Sequence, residues 1–353
     1  MLYLAKYRRT RSEWAVSRRG ERLKPGVTAL VAARDEEYTI PFCLQSLVGF
    51  ADEIVCIDNG SKDRTLALMN SFATTAPAQC VVKIIEKPGA TLGECREAGL
   101  EATTHAWHLR WDADMVAKTS GPEALSLLKA ELQKDVTPRT IQLPRTNLVA
   151  DLEHCSRLYP VVDPGEPILM AFGKDIRYVE DGRFDIIRVP LYYRQVSDPR
   201  RLYFHCSSLK SDMNLLHRDA YFDWRQAVNQ ARSEEDQNQL KDFDAFRDKK
   251  NLERYGTADL RSIKYRYWRQ VTRTLRRFDG NEAGGYPEIL SGELKSPVPR
   301  FQVEYRDGKP FRRIDHHDDE MKNYVPTAED LSWSPEDYLR KRLPESEQKL
   351  LGL

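Results

Sequence analysis

Asp112 and Asp114 flank a single alanine in the stretch HLRWDADMVA, residues 108–117. Carboxylates that close raise each other's pKa unless a cation or hydrogen-bond donors compensate. If residues 106–114 form a strand, positions i and i+2 point to one face and Ala113 points to the other. Hard oxygen ligands of this kind suit Mg²⁺ or Mn²⁺, and those ions usually take further oxygens from a substrate's phosphates. The chemistry implied is a divalent ion gripping a diphosphate. A solvated surface triplet is the plain alternative, because Asp-X-Asp alone is a common pattern.

Position separates the two readings. VTALVAA (27–33), EIVCID (53–58), VVKIIE (81–86) and AWHLRWDAD (106–114) are apolar runs of strand length. Between them TIPFCLQSLVGF (39–50), RTLALMNSFA (64–73) and TLGECREAGLEAT (91–103) have helical spacing. Alternating strands and helices predict a mostly parallel, Rossmann-like α/β sheet with helices on both faces. Ligands of such sheets sit at the carboxyl ends of the strands. ARDEE follows the first strand, DNGSKD the second, EKPGA the third and DAD the fourth. Three acidic clusters therefore converge on one edge.

These segments, in this order and separation, resemble the nucleotide-sugar domain of family 2 glycosyltransferases, the GT-A fold. The resemblance is close over about 27–116, loose to about 206, and absent beyond. It implies an inverting, metal-assisted, hexosyltransferase-type enzyme that uses a nucleotide-diphosphate sugar donor, with UDP as the expected nucleotide. It places Ala33, Arg34, Asp35 and Glu36 in the nucleoside-contacting turn, with Asp35 standing where relatives carry Asn. It assigns Asp58 to the uracil or its ribose, although an Asp there also forms turns. It puts Arg96 near the diphosphate, Asp112 at the ribose or the metal, and Asp114 on the metal. Relatives often continue with a third acid, where this chain has Met115. His205, after the run RLYF, resembles a further metal ligand and completes a site for Mn²⁺ or Mg²⁺. The remaining need is a base for the acceptor hydroxyl. The family takes it from an acid between the Asp-X-Asp and the final histidine. RYVEDGRFD offers Glu180, Asp181 and Asp185, with Asp181 favoured by the Glu-Asp pairing, and Asp163 is a weaker choice.

Competing readings leave different marks. A dinucleotide-binding oxidoreductase calls for G-x-G-x-x-G after the first strand, where this chain has AARDEE. A sugar-nucleotide nucleotidyltransferase calls for a Gly-rich basic loop there. A non-catalytic relative that only binds nucleotide stays open.

The chain has 353 residues, 41% hydrophobic and 31% charged, with a net charge of +1. That balance fits a globular protein and gives no sign of a nucleic-acid partner. Expected divisions are a basic N-terminal arm (1–26), a nucleotide-sugar half (27–118), an acceptor-side half (119–208), a helical region (209–280) and a tail (281–353). No run reaches the roughly 18 apolar residues of a membrane helix, and the N-terminus lacks the apolar core of a signal peptide, so a cytoplasmic location is expected. The six scattered cysteines read as reduced. Apolar residues recur every three or four positions from Leu260 to Phe278, with seven Lys and Arg interleaved and no acid. That basic helix (261–277) either packs or meets an anionic membrane, which would suit a lipid-linked acceptor. RRIDHHDDE (312–320) reads as a solvated charge run. The acceptor is undefined.

Overall fold

A computed structural model describes residues 15–134, 137–181, 184–231 and 240–353, with 233, 235 and 238 between the last two spans. Two compact units emerge. The first comprises residues up to Asn147, Val162–Cys206 and Gly280–Gly292, and the second comprises Leu148–Val161, Ser207–Asp279 and Glu293–Leu353. A loop at 148–161 leaves the first unit, and 280–292 returns to it.

In the first unit, β1 (Lys24–Ala33), α1 (Ile40–Leu47), β2 (Glu53–Asp58), α2 (Thr65–Thr75), β3 (Val81–Glu86), α3 (Leu92–Ala102) and β4 (His105–Asp112) alternate. β3, β2, β1 and β4 lie side by side in that order, all parallel. Strand periodicity sorts their side chains. Val27, Ala29, Val31, Ile54 and Cys56 pack with α1, α2 and the later α4 (Ser126–Lys134) on one face. Leu30, Val55 and Ile57 pack with Cys95 and Leu100 of α3 on the other. Both faces are covered, so these strands are apolar on both sides. Gly99 lets α3 lie close, since a Cβ there would meet Ile57 and Leu30 at 3.2 Å. A capping box of Thr91 and Glu94 starts that helix.

Beyond β4 the sheet continues with mixed pairing. β5 (Met115–Ala117), β6 (Arg139–Asn147), β8 (Val162–Ala171), β11 (Arg194–Ser197) and β12 (Tyr203–His205) extend it in the order β4, β8, β6, β12, β5, with β11 beside β6. The pairing is antiparallel for β4–β8, β8–β6 and β12–β5 and parallel where β11 and β12 join β6. A separate hairpin joins β9 (Arg177–Asp181) to β10 (Phe184–Arg188). Arg18, from the N-terminal arm, is tied down by Glu97 at 2.7 Å and by the Ile176 carbonyl at 2.7 Å. Residues 1–14 of that arm lie outside the described residues.

In the second unit, α5 (Asp212–Gln230), α6 (Phe243–Tyr255) and α7 (Leu260–Arg273) accompany two hairpin-like pairs. β7 (His154–Ser156) pairs with β13 (Leu275–Arg277), and β14 (Phe301–Arg306) with β15 (Lys309–Asp315). The expected basic helix, 261–277, is helical as α7 only to Arg273, because Leu275–Arg277 pair as β13, and part of the charge on α7 is internal. Lys264 and Arg266 are 4% exposed and pair with Asp318 at 2.6 Å and Asp330 at 2.8 Å. Arg273 pairs with Glu336. Their acids come from the C-terminal segment. The run 312–320 is likewise not wholly solvated. Arg313 is buried between the rings of Trp268 and Phe301, 4.2 Å from each, and pairs with Asp212. Sequence alone missed this because the compensating partners lie 54 to 101 positions away. Among the described residues no helix is long and apolar enough to cross a membrane.

Candidate active site

The site is assembled at the carboxyl edge of the parallel strands. The chain order reverses between β1 and β4, the place where an open α/β sheet leaves a crevice. Ala33 is level with Asp58 across one side of β1, and Ala32 is level with Asp112 across the other. Two strand spacings, roughly 10 Å, therefore separate Asp58 from Asp112.

The turns after β1 and β2 are stitched together. Asp35 sits at φ +56°, a left-handed conformation that Asp tolerates. Its amide donates to Ser61 Oγ at 3.0 Å, and its Oδ1 accepts from the Lys62 amide at 2.7 Å. Glu36 donates from its amide to Thr65 Oγ1 at 2.7 Å and is nearly buried. Glu37 donates likewise to Asp63 Oδ2 at 3.0 Å, while Asp63 Oδ1 accepts from the Thr65 amide at 2.9 Å. Ala33 is buried and accepts from the Asn59 amide at 2.9 Å, whereas the Arg34 side chain is exposed. Asp58 divides its work. Oδ2 accepts from the Gly60 and Ser61 amides at 3.0 and 3.1 Å, forming the turn. Oδ1 is buried with no hydrogen-bond partner among the described residues. A buried acceptor left open at a crevice calls for a donor from outside the chain.

The expected strand through residue 114 stops at Asp112. Ala113 and Asp114 form a turn into β5. The two carboxylates converge through that turn and not through strand alternation. The Cys206 amide donates to the Asp114 carbonyl at 2.8 Å, which ties the turn to β12. Ligand atoms of Asp112, Asp114 and His205 lie within 4.8 Å of one another. The His205 Nε2 to Asp114 Oδ1 distance is 3.4 Å. Two carboxylates and one imidazole are a donor set that fits Mn²⁺ or Mg²⁺. Met115 is 1% exposed and contributes only its carbonyl, which accepts from Trp111 Nε1 at 3.0 Å.

Arginines keep Asp112 ionised. Burial alone would raise this carboxyl, but the guanidiniums of Arg96 and Arg110 outweigh burial and the like charge of Asp114, and hold it below its usual range. Arg96 is only 2% exposed. One of its nitrogens binds Asp112, and Nε pairs with Asp185 Oδ2 at 2.6 Å. Its Nη1 is buried with no hydrogen-bond partner among the described residues. Arg96 is therefore an internal strut. Asp185 is drawn into the same ion pair. The β9–β10 register sets Asp185 opposite Glu180 and Phe184 opposite Asp181. The side chains of Glu180 and Asp181 lie outside the described residues. Asp163 accepts from Arg145, Asn147 and the Gly165 amide.

Sequence reasoning missed Arg110, which pairs with Glu166, and Asn147, whose Oδ1 lies 3.2 Å from His205 Nδ1. Only the pairing of β6 with β12 brings Asn147 level with His205. No local motif announces that pairing across 58 positions.

Residues 28–136 match the model of the family described as Glycosyl transferase family 2. No curated protein matches the chain by sequence. Among solved structures, S. aureus TarS aligns at 13% identity and a TM-score of 0.34, covering 82% of this chain. The aligned part spans 60% of that TarS chain. A TarS fragment, residues 1–349 with UDP-GlcNAc, aligns at 13% identity and a TM-score of 0.37, covering 81% of this chain and 99% of the fragment. A mannosyltransferase from Pyrobaculum calidifontis, solved with GDP-Man and Mn²⁺, aligns at 14% identity and a TM-score of 0.36, covering 69% of this chain and 77% of the other.

Proposed function

We propose that this chain, which carries a family 2 glycosyltransferase domain, moves a sugar from a UDP-linked donor to an acceptor hydroxyl with inversion. The observation that carries the reading is the pairing of two features on one crevice. Asp58 keeps a buried, open oxygen, and the Asp112, Asp114 and His205 ligand atoms cluster two strands away. That separation of roughly 10 Å suits a nucleoside at one end and its diphosphate at the other.

In this reading Asp58 Oδ1 accepts a hydrogen bond from the uracil or the ribose. The turns around Asp35, Glu36 and Ala33 shape the nucleoside contact, with the exposed Arg34 at its rim. Arg96 stiffens Asp112 and offers Nη1 near the diphosphate. A Mn²⁺ or Mg²⁺ ion held by Asp112, Asp114 and His205 would neutralise charge on the departing diphosphate, which then needs no general acid. The acceptor oxygen bonds to the anomeric carbon as the bond to the phosphate oxygen breaks, and the nucleoside diphosphate leaves with the electron pair. The hydroxyl proton passes to a carboxylate of the β9–β10 hairpin. Because Asp185 is engaged by Arg96, we assign that role to Asp181 or Glu180 and give Asp185 a positioning role.

Asp58→Asn tests the reading. An Asn oxygen can still accept from Gly60 and Ser61, so the turn and the melting temperature should hold. Loss of the charged acceptor should weaken UDP binding about 10- to 100-fold by calorimetry, the worth of one hydrogen bond to a charged group. Unchanged UDP affinity would refute the assignment of Asp58. Donor binding without turnover of any supplied acceptor would identify a nucleotide-binding relative instead.

A further inference from the structure

His205 does not stand alone at the end of β12. It is paired in register with Asn147 of β6, so the two side chains share a face. Asn147 Nδ2 donates to Asp163 Oδ2 at 2.6 Å. A carboxylate there can only accept, so Asn147 must turn its NH₂ toward Asp163 and its carbonyl the other way. That carbonyl oxygen faces His205 Nδ1 at 3.2 Å, and it too can only accept. Nδ1 must therefore carry the hydrogen. In the neutral ring the lone pair then sits on Nε2, the nitrogen 3.4 Å from Asp114 Oδ1.

Asp163 is itself pinned. Arg145 donates to its Oδ2 from Nε at 3.1 Å and from Nη2 at 3.0 Å, and the Gly165 amide donates to Oδ1 at 2.7 Å. The pairing of β6 with β8 shifts register between Leu143 and Arg145, with Gly165 at φ +67° in the bulge. Such bulges re-aim a side chain, and here the side chain is Asp163. The chain of command runs from bulge to carboxylate to amide to imidazole.

We propose that Asn147 is a positioning residue that locks His205 in its Nδ1–H tautomer, so that the Nε2 lone pair meets Asp114 ready for a divalent cation. This deepens the metal-assisted reading above and rests on it. Two acceptors facing each other at 3.4 Å repel, and a cation between them turns that repulsion into binding.

Two measurements test it. In the metal-free wild type, ¹⁵N–¹H long-range correlation of the histidine rings, with His205 assigned from its loss in His205→Gln, should give the Nδ1–H pattern. An Nε2–H or doubly protonated ring would overturn the proposal, and this needs no variant at Asn147. In Asn147→Leu, Mn²⁺ binding in the presence of UDP, followed by the electron paramagnetic resonance of free Mn²⁺, should weaken about 10- to 100-fold. The fold is checked by melting temperature. Equal Mn²⁺ affinity in wild type and a folded Asn147→Leu would overturn the proposal. No Mn²⁺ binding by the wild type would instead refute the metal-assisted reading, while the tautomer measurement still judges Asn147 on its own.

Discussion

Arg96→Met should damage this protein in a way that acid partly repairs. The guanidinium is 2% exposed and bridges Asp112 and Asp185, whose side chain is 9% exposed. Methionine fills similar space without charge. At neutral pH it leaves two carboxylates on a largely buried edge without their cation. Breaking a buried pair by removing one partner costs about 3–5 kcal/mol. The pH dependence follows from the sign of the Asp112 shift. In the wild type this carboxyl lies below its ordinary value, so its contribution is full above the unfolded pKa of about 4 and fades as pH falls through the lower folded value. In the variant the strongest lowering charge is gone and only Arg110 remains against burial and the charge of Asp114, so the same carboxyl rises from its depressed value. Protonation then relieves the variant as pH falls, while the wild type loses its advantage. Urea melts from pH 8 to pH 4 should show a gap of about 3–5 kcal/mol at pH 7 that shrinks toward pH 4. A gap that does not change with pH, or one below about 1 kcal/mol at pH 7, would refute the reasoning, because either would mean that Arg96 contributes packing and not charge.

Gly165→Ala should destabilise by about 2–5 kcal/mol, since the residue has φ +67° and a Cβ would fall 1.8 Å from the Leu143 carbonyl oxygen. Chemical denaturation measures this, and a near-neutral result would mean the bulge re-forms without its glycine. His108 is fully buried, neither ring nitrogen has a hydrogen-bond partner among the described residues, and burial followed by the charges of Arg18 and Arg110 holds its pKa near 3 instead of 6.5. The unfolded chain takes up that proton first, so this residue's contribution is full above pH 6.5 and is lost as pH falls toward 3. His108→Leu should remove one proton's worth of that slope, about 1.4 kcal/mol per pH unit, in urea melts between pH 6.5 and 4. An unchanged slope would show that His108 is not the group responsible.

The parallel half of the fold and its acidic edge were legible because they are written locally. EIVCID and VVKIIE are strands at the bounds their composition implies, and the strand–helix alternation fixes where strand ends must gather. Asp35, Asp58 and Asp112 could be placed for that reason. Local reading failed where a residue's role depends on a distant partner. Asp114 was placed on a strand it does not join, because the turn that turns it toward His205 is held by β12. The basic face of α7 looked solvated or membrane-bound, because Asp318 and Asp330, which cover it, carry no pattern that points back to residue 264 or 266.

By itself, then, the sequence determined which residue types could do chemistry and which edge of the sheet would carry them. Strand periodicity and turn composition act over a few residues, and a few residues suffice to read them. Tertiary structure alone decided the state of those residues. Asp112 is held ionised by Arg96 and Arg110, Asp185 is taken up by the same arginine, and His205 is turned by Asn147 and Asp163. Charge and hydrogen bonding act through space: apart from Arg110, which stands beside Asp112 on the same strand, the partners of these groups lie between 16 and 89 positions away along the chain.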